Sequence, residues 1–201
     1  MKIFFSLALR LFFVTVIFLS SFAAAPLSPN TDTIQILEDL DGFPCFEDSA
    51  FTCVTIDVPL DHFNPDEART IPVVFAVLPA SGARKGMFVT ATGGPGTSGV
   101  LLADYYSSGF DPSILDAFDV VFFDQRGVGL SGDLACPFAA NVFYQQDARG
   151  ITRSQEKALK KTVSAFAEDC VSELSNPELL PYLGTKQAVE DLELFRQIMG
   201  D

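Results

Sequence analysis

Phe118-Asp119-Val120-Val121-Phe122-Phe123-Asp124-Gln125-Arg126-Gly127-Val128-Gly129 is the stretch on which the fold turns. Val120 to Phe123 has no polar break, as expected of a strand buried on both faces of a parallel sheet. It stops in a turn with two glycines. A second run of the same design lies upstream: Gly86-Met87-Phe88-Val89-Thr90-Ala91, closed by Thr92-Gly93-Gly94-Pro95-Gly96. A weaker helical stretch, about Ser98 to Ser107, separates the two. Strand, helix, strand in this order predicts the α/β class, with helices packed on the faces of a sheet.

Before these runs, Thr52-Cys53-Val54-Thr55-Ile56-Asp57-Val58 alternates and is β-branched, and Thr70 to Leu78 is a second strand. The turn chemistry of Pro59 to Glu67 between them predicts an antiparallel hairpin. After Gly129 the pattern becomes helical. Thr152-Arg153-Ser154-Gln155 resembles a capping box, and Leu159, Val163, Phe166, Cys170 and Leu174 recur at helical spacing. A last helix starts near Thr185 with Ala188, Leu192, Phe195 and Met199 as its stripe, and Gly200 as its stop. The expectation is a hairpin followed by the opening of a mostly parallel sheet. The strand that the last helix would feed is not among the 201 residues.

The first 25 residues have the layout of a secretory signal. Lys2 and Arg10 supply the positive end, Leu11 to Phe22 carries no charge, and Ala23, Ala24 and Ala25 are small. Cleavage near 23–25 is expected, after Ala23 or Ala24 in preference to Ala25, which Pro26 follows. As an uncleaved anchor, Ile3 to Ala25 would carry Arg10, at about 2.5–3.5 kcal/mol for a charge in a span. No other apolar stretch approaches spanning length. The expected organisation is a signal over 1–25, an extended lead-in over 26–50, and an α/β domain over 51–201. The location is secreted, with no membrane contact once the signal is removed.

The formal charge is −13, and without Lys2 and Arg10 the rest has 11 basic against 26 acidic residues, or −15. Such a surface repels phosphate backbones, so nucleic acid is excluded as a partner. Cys45, Cys53, Cys136 and Cys170 form an even set suited to an oxidising compartment. Four cysteines allow three pairings. Nearness in sequence favours Cys45–Cys53 and Cys136–Cys170, with buried free thiols as the alternative. There is no Cys-x-x-Cys and His62 is the sole histidine, so neither a zinc site nor any cofactor is expected.

Ligands of open α/β sheets bind beyond the carboxyl ends of the strands, where both glycine turns fall. Gly93-Gly94-Pro95-Gly96 is able to aim backbone N–H groups at a developing oxyanion. A phosphate cradle would need Gly-x-x-x-x-Gly-Lys-[Ser/Thr], which is absent. From those four residues alone, a plain turn is the default. Asp124 and Arg126, with Gln125, Gly127 and Gly129, read as a turn held by an ion pair or hydrogen bonds at the edge of a site, in preference to a substrate-binding role. His62 lies in the early hairpin turn and reads as structural.

Ala91-Thr92-Gly93-Gly94-Pro95-Gly96-Thr97-Ser98-Gly99 resembles the oxyanion loop of the proline iminopeptidase and tripeptidyl aminopeptidase group of α/β-hydrolases. Phe123 to Ser131 resembles that group's second signature, and Val58-Pro59-Leu60-Asp61-His62 its early hairpin. Tyr182, Thr185, Ala188-Val189, Asp191-Leu192 and Gly200 resemble the helix preceding its nucleophile strand, and Cys136-Pro137 fits its secreted members. Thr92 stands where many relatives have His, which leans towards the secreted tripeptidyl branch. The resemblance implies an α/β-hydrolase fold, N-terminal half only, truncated before the nucleophile strand. It also implies a Ser-His-Asp mechanism on a peptide or small ester substrate. The serine would sit on a Gly-x-Ser-x-Gly elbow with Asp and His later, and no such motif occurs in the 201 residues. The expectation is an aminopeptidase portion that is inactive alone. An esterase, lipase or epoxide hydrolase portion, and a non-catalytic binding protein, are the alternatives.

Overall fold

A computed structural model describes residues 31–201 except Pro95 and Asp133. The signal expected over 1–25, and Pro95 of the glycine loop, lie outside the described residues. In chain order the elements are α1 (Thr31–Asp39), β1 (Phe43–Pro44), β2 (Thr52–Pro59), β3 (Thr70–Leu78), β4 (Met87–Thr90), α2 (Gly99–Ser107), α3 (Pro112–Ala117), β5 (Asp119–Phe123), α4 (Pro137–Tyr144), α5 (Arg153–Glu173) and α6 (Thr185–Ile198). Short 3₁₀ turns occupy Gly129–Ser131 and Pro177–Tyr182.

The five strands form one mixed sheet in the order β1-β2-β3-β5-β4. The hairpin pairs β2 with β3 antiparallel, Thr55 opposite Val74. The chain then leaves β3, forms β4 two positions away, and returns through α2 and α3 to insert β5 between them. β5 is parallel to β4, with Phe88 opposite Val120, and antiparallel to β3, with Phe75 opposite Phe123. The antiparallel hairpin and the parallel strands expected after it are both present, within a sheet that is mixed as a whole. Among the described strands only β4 and β5 are parallel neighbours, because β5 fills the gap beside the hairpin.

β5 is buried at all five positions: the apolar run Val120 to Phe123, and Asp119, whose carboxylate accepts from Thr33 Oγ1 and Ala80 N. The period of two sorts its side chains onto two cores. Val121 and Phe123 join Val73, Phe75 and Val77 under α6 and α1, where Phe75 and Phe195 stack with centroids 3.9 Å apart. Val120 and Phe122 join Val74, Ala76, Val100 and Ala103 under α2, with Phe51 against Phe122. Burying a large side chain of this kind stabilises by about 1.5–3 kcal/mol.

The lead-in expected to be extended contains a helix, Thr31–Asp39. Thr33 and Leu37 are buried, and Ile36 and Leu40 pack against the same core. That i, i+3, i+4, i+7 spacing is helical, but it is short and sits among turn-forming residues. Thr33 Oγ1 donates to buried Asp119 Oδ2 at 2.8 Å, tying α1 to the start of β5. The helix expected after Thr152 has its capping box. Its apolar stripe does not enter the core, since α5 has no buried residue. The stripe meets α4, a helix the sequence pattern did not reveal.

Both disulfides pair neighbours in sequence: Cys45–Cys53 and Cys136–Cys170. The first closes a loop that Asp104 of α2 holds, its Oδ2 accepting from Ser49 Oγ and its Oδ1 from Ala50 N. The two disulfides are compatible with an extracellular protein. Among the described residues no helix is long and apolar enough to cross a membrane.

Candidate functional site

The turns after β4 and β5 meet at one end of the sheet, and Asp124 joins them. Asp124 is fully buried. Its Oδ1 accepts from Ser98 Oγ at 2.7 Å and from Val100 N at 3.1 Å, and its Oδ2 accepts from Leu130 N at 2.9 Å. One carboxylate thus closes the N-terminus of α2 and the 3₁₀ turn after β5. Ser98 also caps α2 directly, accepting from Leu101 N at 3.0 Å. A buried carboxylate meets its desolvation only when hydrogen bonds fill it in this way. Ser131 completes the joint: its Oγ donates to Asp124 O at 2.7 Å and accepts from Val74 N at 2.8 Å.

The glycine loop is held against this joint. Thr92 Oγ1 donates to Thr97 O at 2.7 Å, closing the loop upon itself. Gly96 has φ of 93°, which side chains rarely adopt, so glycine is needed there. Beyond the loop, a Cβ on Gly99 would collide with Phe123 O, so glycine is what lets α2 start directly on β5. Gly93 and Gly94 are exposed. A notch of about 170 Å³ opens beside them, lined by Thr90, Ala91, Thr92, Tyr106, Phe110 and Phe122. The described part of the loop thus has exposed glycines, a hydrogen bond across it and a recess beside it.

Arg126 takes a different direction. It is buried, donating from Nε to Asp191 Oδ2 at 2.8 Å and from Nη2 to Asp191 Oδ1 at 2.5 Å. Its remaining N–H groups reach the carbonyls of Pro59, Leu60 and Tyr182. His62 Nε2 lies 2.7 Å from Asp191 Oδ1, and His62 N donates to Gln187 Oε1. Gln187 in turn donates to Asp61 Oδ1 at 2.6 Å. A His–Asp pair orients a base in a triad, but this Asp191 is already spent on a bidentate Arg126. The set binds the hairpin turn, the β5 turn and α6 together, which is a structural tie.

Sequence reasoning singled out Asp124, Arg126 and the glycines but missed their partners. Ser98, Ser131 and Gln187 are ordinary polar residues whose roles appear only when distant segments meet. Asp191 carried one signal: with Gln187 and Phe195 it recurs every four residues on the buried side of α6. A carboxylate at an apolar spacing calls for a buried cation.

No family model matches the chain. It is 33% identical over 154 residues to carboxylesterase B of Mycobacterium tuberculosis, covering 72% of this chain and 28% of that one. It is 27% identical over 156 residues to tripeptidyl aminopeptidase of Streptomyces lividans, covering 74% and 28%. It is 28% identical over 152 residues to serine protease Hip1 of Mycobacterium tuberculosis, covering 74% and 29%. All three are named as hydrolytic enzymes, and the likeness supports a serine hydrolase family of the α/β-hydrolase kind. The chain spans well under a third of the length of these curated relatives.

Proposed function

We propose that this chain is the N-terminal part of a secreted α/β-hydrolase, an aminopeptidase acting on peptide N-termini, whose catalytic Ser, Asp and His lie beyond residue 201. The observation that carries the proposal is the edge of β4, which has no neighbour on its outer side among the described strands. Phe88 and Val89 point to opposite faces of this strand and remain 36% and 40% exposed. Unpaired apolar edges of this sort call for a covering strand.

The end of α6 lies where that strand would begin. Asp201 Oδ1 accepts from Arg84 Nη1 at 2.7 Å, and Arg84 shortly precedes β4. A strand leaving this point parallel to β4, at about 3.3 Å per residue, would reach the Thr92–Gly96 loop within a few residues. A serine on a tight turn there would face the exposed Gly93 and Gly94. One oxyanion donor is worth about 2.7–4 kcal/mol of transition-state stabilisation. The positive end of α2, which starts just beyond the loop, adds to the same field.

The test compares the 201-residue chain with one extended by its own downstream coding sequence. Fluorophosphonate labelling and tripeptidyl-anilide turnover should appear only in the extended chain. Turnover by the shorter chain would overturn the location assigned to the catalytic residues. No labelling of a folded extended chain would overturn the hydrolase reading.

A second reading has one observation in its favour: identity to a carboxylesterase is 33%, against 27% to a tripeptidyl aminopeptidase. If kcat/KM of the extended chain for a short-chain nitrophenyl ester exceeds that for the tripeptidyl anilide, the substrate is an ester.

A further inference from the structure

Arg84 is one cation between two carboxylates that the chain brings from distant places. Its Nε donates to Asp119 Oδ2 and its Nη1 to Asp201 Oδ1, the second of these 117 residues away. Asp119 has no exposed surface. Its Oδ1 accepts from Ala80 N at 2.9 Å, and its Oδ2 also accepts from Thr33 Oγ1. The third nitrogen of the guanidinium, Nη2, is buried and meets no acceptor among the described residues. A buried charged donor is costly to leave in that condition, so its place calls for an acceptor.

Both sides of the contact with Asp201 are held independently of it. The segment carrying Arg84 is laced to the end of α3: Ser81 N, Gly82 N and Lys85 N donate to the carbonyls of Leu115, Asp116 and Ala117 at 2.9, 2.9 and 2.7 Å. Asp201 sits in a Schellman turn at the end of α6. Gly200 has φ of 73° and its N–H donates to Gln197 O, while Asp201 N donates to Arg196 O. The turn brings Asp201 level with the start of β4. A Cβ on Gly86, the residue before Met87, would lie 3.6 Å from Asp201 Oδ2. Ion pairs between exposed, mobile side chains contribute little. This one joins two fixed points, and both its side chains are only 20% exposed.

We infer, on the reading of this chain as part of a hydrolase whose serine follows α6, that Arg84 is a positioning residue for that serine. It sets the register at which the segment after Asp201 enters the sheet beside β4, with Nη1 on Asp201 and Nη2 on a backbone carbonyl of that segment. A slip of one residue in a strand turns every side chain to the opposite face. It also moves a serine at the strand's end by about 3.3 Å, away from Gly93 and Gly94. Reacting groups tolerate less, since a misplacement of about 1 Å costs up to a hundredfold in rate. Arg84 touches neither substrate nor reacting atoms and acts through the strand. Lysine has the charge but not the planar fork that reaches three acceptors at once.

The test uses the chain extended by its own downstream coding sequence, unsubstituted and with Arg84→Gln, Arg84→Lys or Asp201→Asn. Fluorophosphonate labelling and tripeptidyl-anilide turnover are measured per folded molecule, with circular dichroism giving the folded fraction. In R84Q, kcat should fall between about tenfold and a hundredfold with KM little changed, and labelling should slow in parallel. R84K should recover part of the loss, and D201N, which keeps an acceptor oxygen, should lose less than R84Q. Should R84Q not fold, R84K and D201N carry the same comparison. A role confined to stability lowers the unfolding midpoint and leaves kcat per folded molecule unchanged. That outcome overturns the inference, and so does a rise in KM without a fall in kcat. The same fall in kcat on deleting residues 26–30, which precede α1, would give Nη2 a different partner and overturn it too. If the unsubstituted extended chain labels and the variants match it, the inference falls alone. If the unsubstituted chain does not label, the hydrolase reading falls and takes the inference with it.

Discussion

Ser98 Oγ and Asp124 Oδ1 lie 2.7 Å apart, although 26 positions separate them in sequence. The same carboxylate receives Val100 N and Leu130 N. The glycine loop is therefore positioned less by its own glycines than by an acid at the end of the neighbouring strand. Asp124 should behave as a keystone of the two turns.

Asp124→Ala leaves two backbone N–H groups and a hydroxyl without an acceptor in a buried place. The expected loss is about 3 kcal/mol or more, at about 1–3 kcal/mol for each unsatisfied group. Asp124→Asn retains one acceptor oxygen and should cost roughly half as much. Urea unfolding measures both, and amide exchange at Val100 and Leu130 should accelerate before global unfolding. An unchanged midpoint in the alanine variant would remove Asp124 from this role.

Arg126 and Asp191 should show the asymmetry of a buried ion pair. Asp191→Ala strands a buried guanidinium and should cost about 3–5 kcal/mol. Replacing both, as R126M/D191L, should recover a large part of that loss, because no charge is left unpaired. A double variant as unstable as the sum of the two single changes would contradict this account of the pair.

Removing Cys136–Cys170 should act locally. Its half-cystines are 34 residues apart, and a loop of that length contributes about 3–4 kcal/mol by chain entropy. α5 is not part of either core, so the loss should fall on the α4–α5 hairpin. C136S/C170S should be nicked by trypsin between Arg149 and Lys161 while the main unfolding transition shifts little. A large drop in that transition would mean that the hairpin supports the sheet.

The acid limb reports a surface pair. The Arg69 side chain and its backbone N–H hold the Glu67 carboxyl down to about 2. A lowered carboxylate stabilises above its unfolded value near 4.5 and loses that contribution as pH falls towards 2. The pair lies at the surface, with Arg69 exposed and Glu67 half-buried, so salt should weaken it. Carbonyl NMR should find Glu67 titrating near 2, and Arg69→Ala should return it to the ordinary glutamate range. An unmoved midpoint in that variant would contradict the pairing.

Local pattern was enough for the hairpin, for β4, α2 and β5, for the capping box at Thr152, and for the two glycine turns. Each follows from side chains within one short window: alternation, an unbroken apolar run, a cap three residues from its partner. The pairing of the cysteines also followed from nearness along the chain. α1 was lost because its four inward positions sit among turn-forming residues. α4 was lost because Pro137 to Tyr144 is short and apolar with no clear face.

What the chain alone could not determine is where segments meet. The insertion of β5 between β3 and β4 depends on which edge is free when the crossover closes. Asp191 under Arg126, Ser98 on Asp124 and Arg84 on Asp201 are pairs 26 to 117 residues apart. Their geometry comes from packed helices, not from periodicity. The sequence by itself determined an α/β chain with two glycine turns at strand ends. Only the tertiary structure decided that one buried carboxylate welds those turns together, and that the α4–α5 hairpin stands outside both cores. Burial and charge placement are properties of the assembled fold, and no window of sequence contains them.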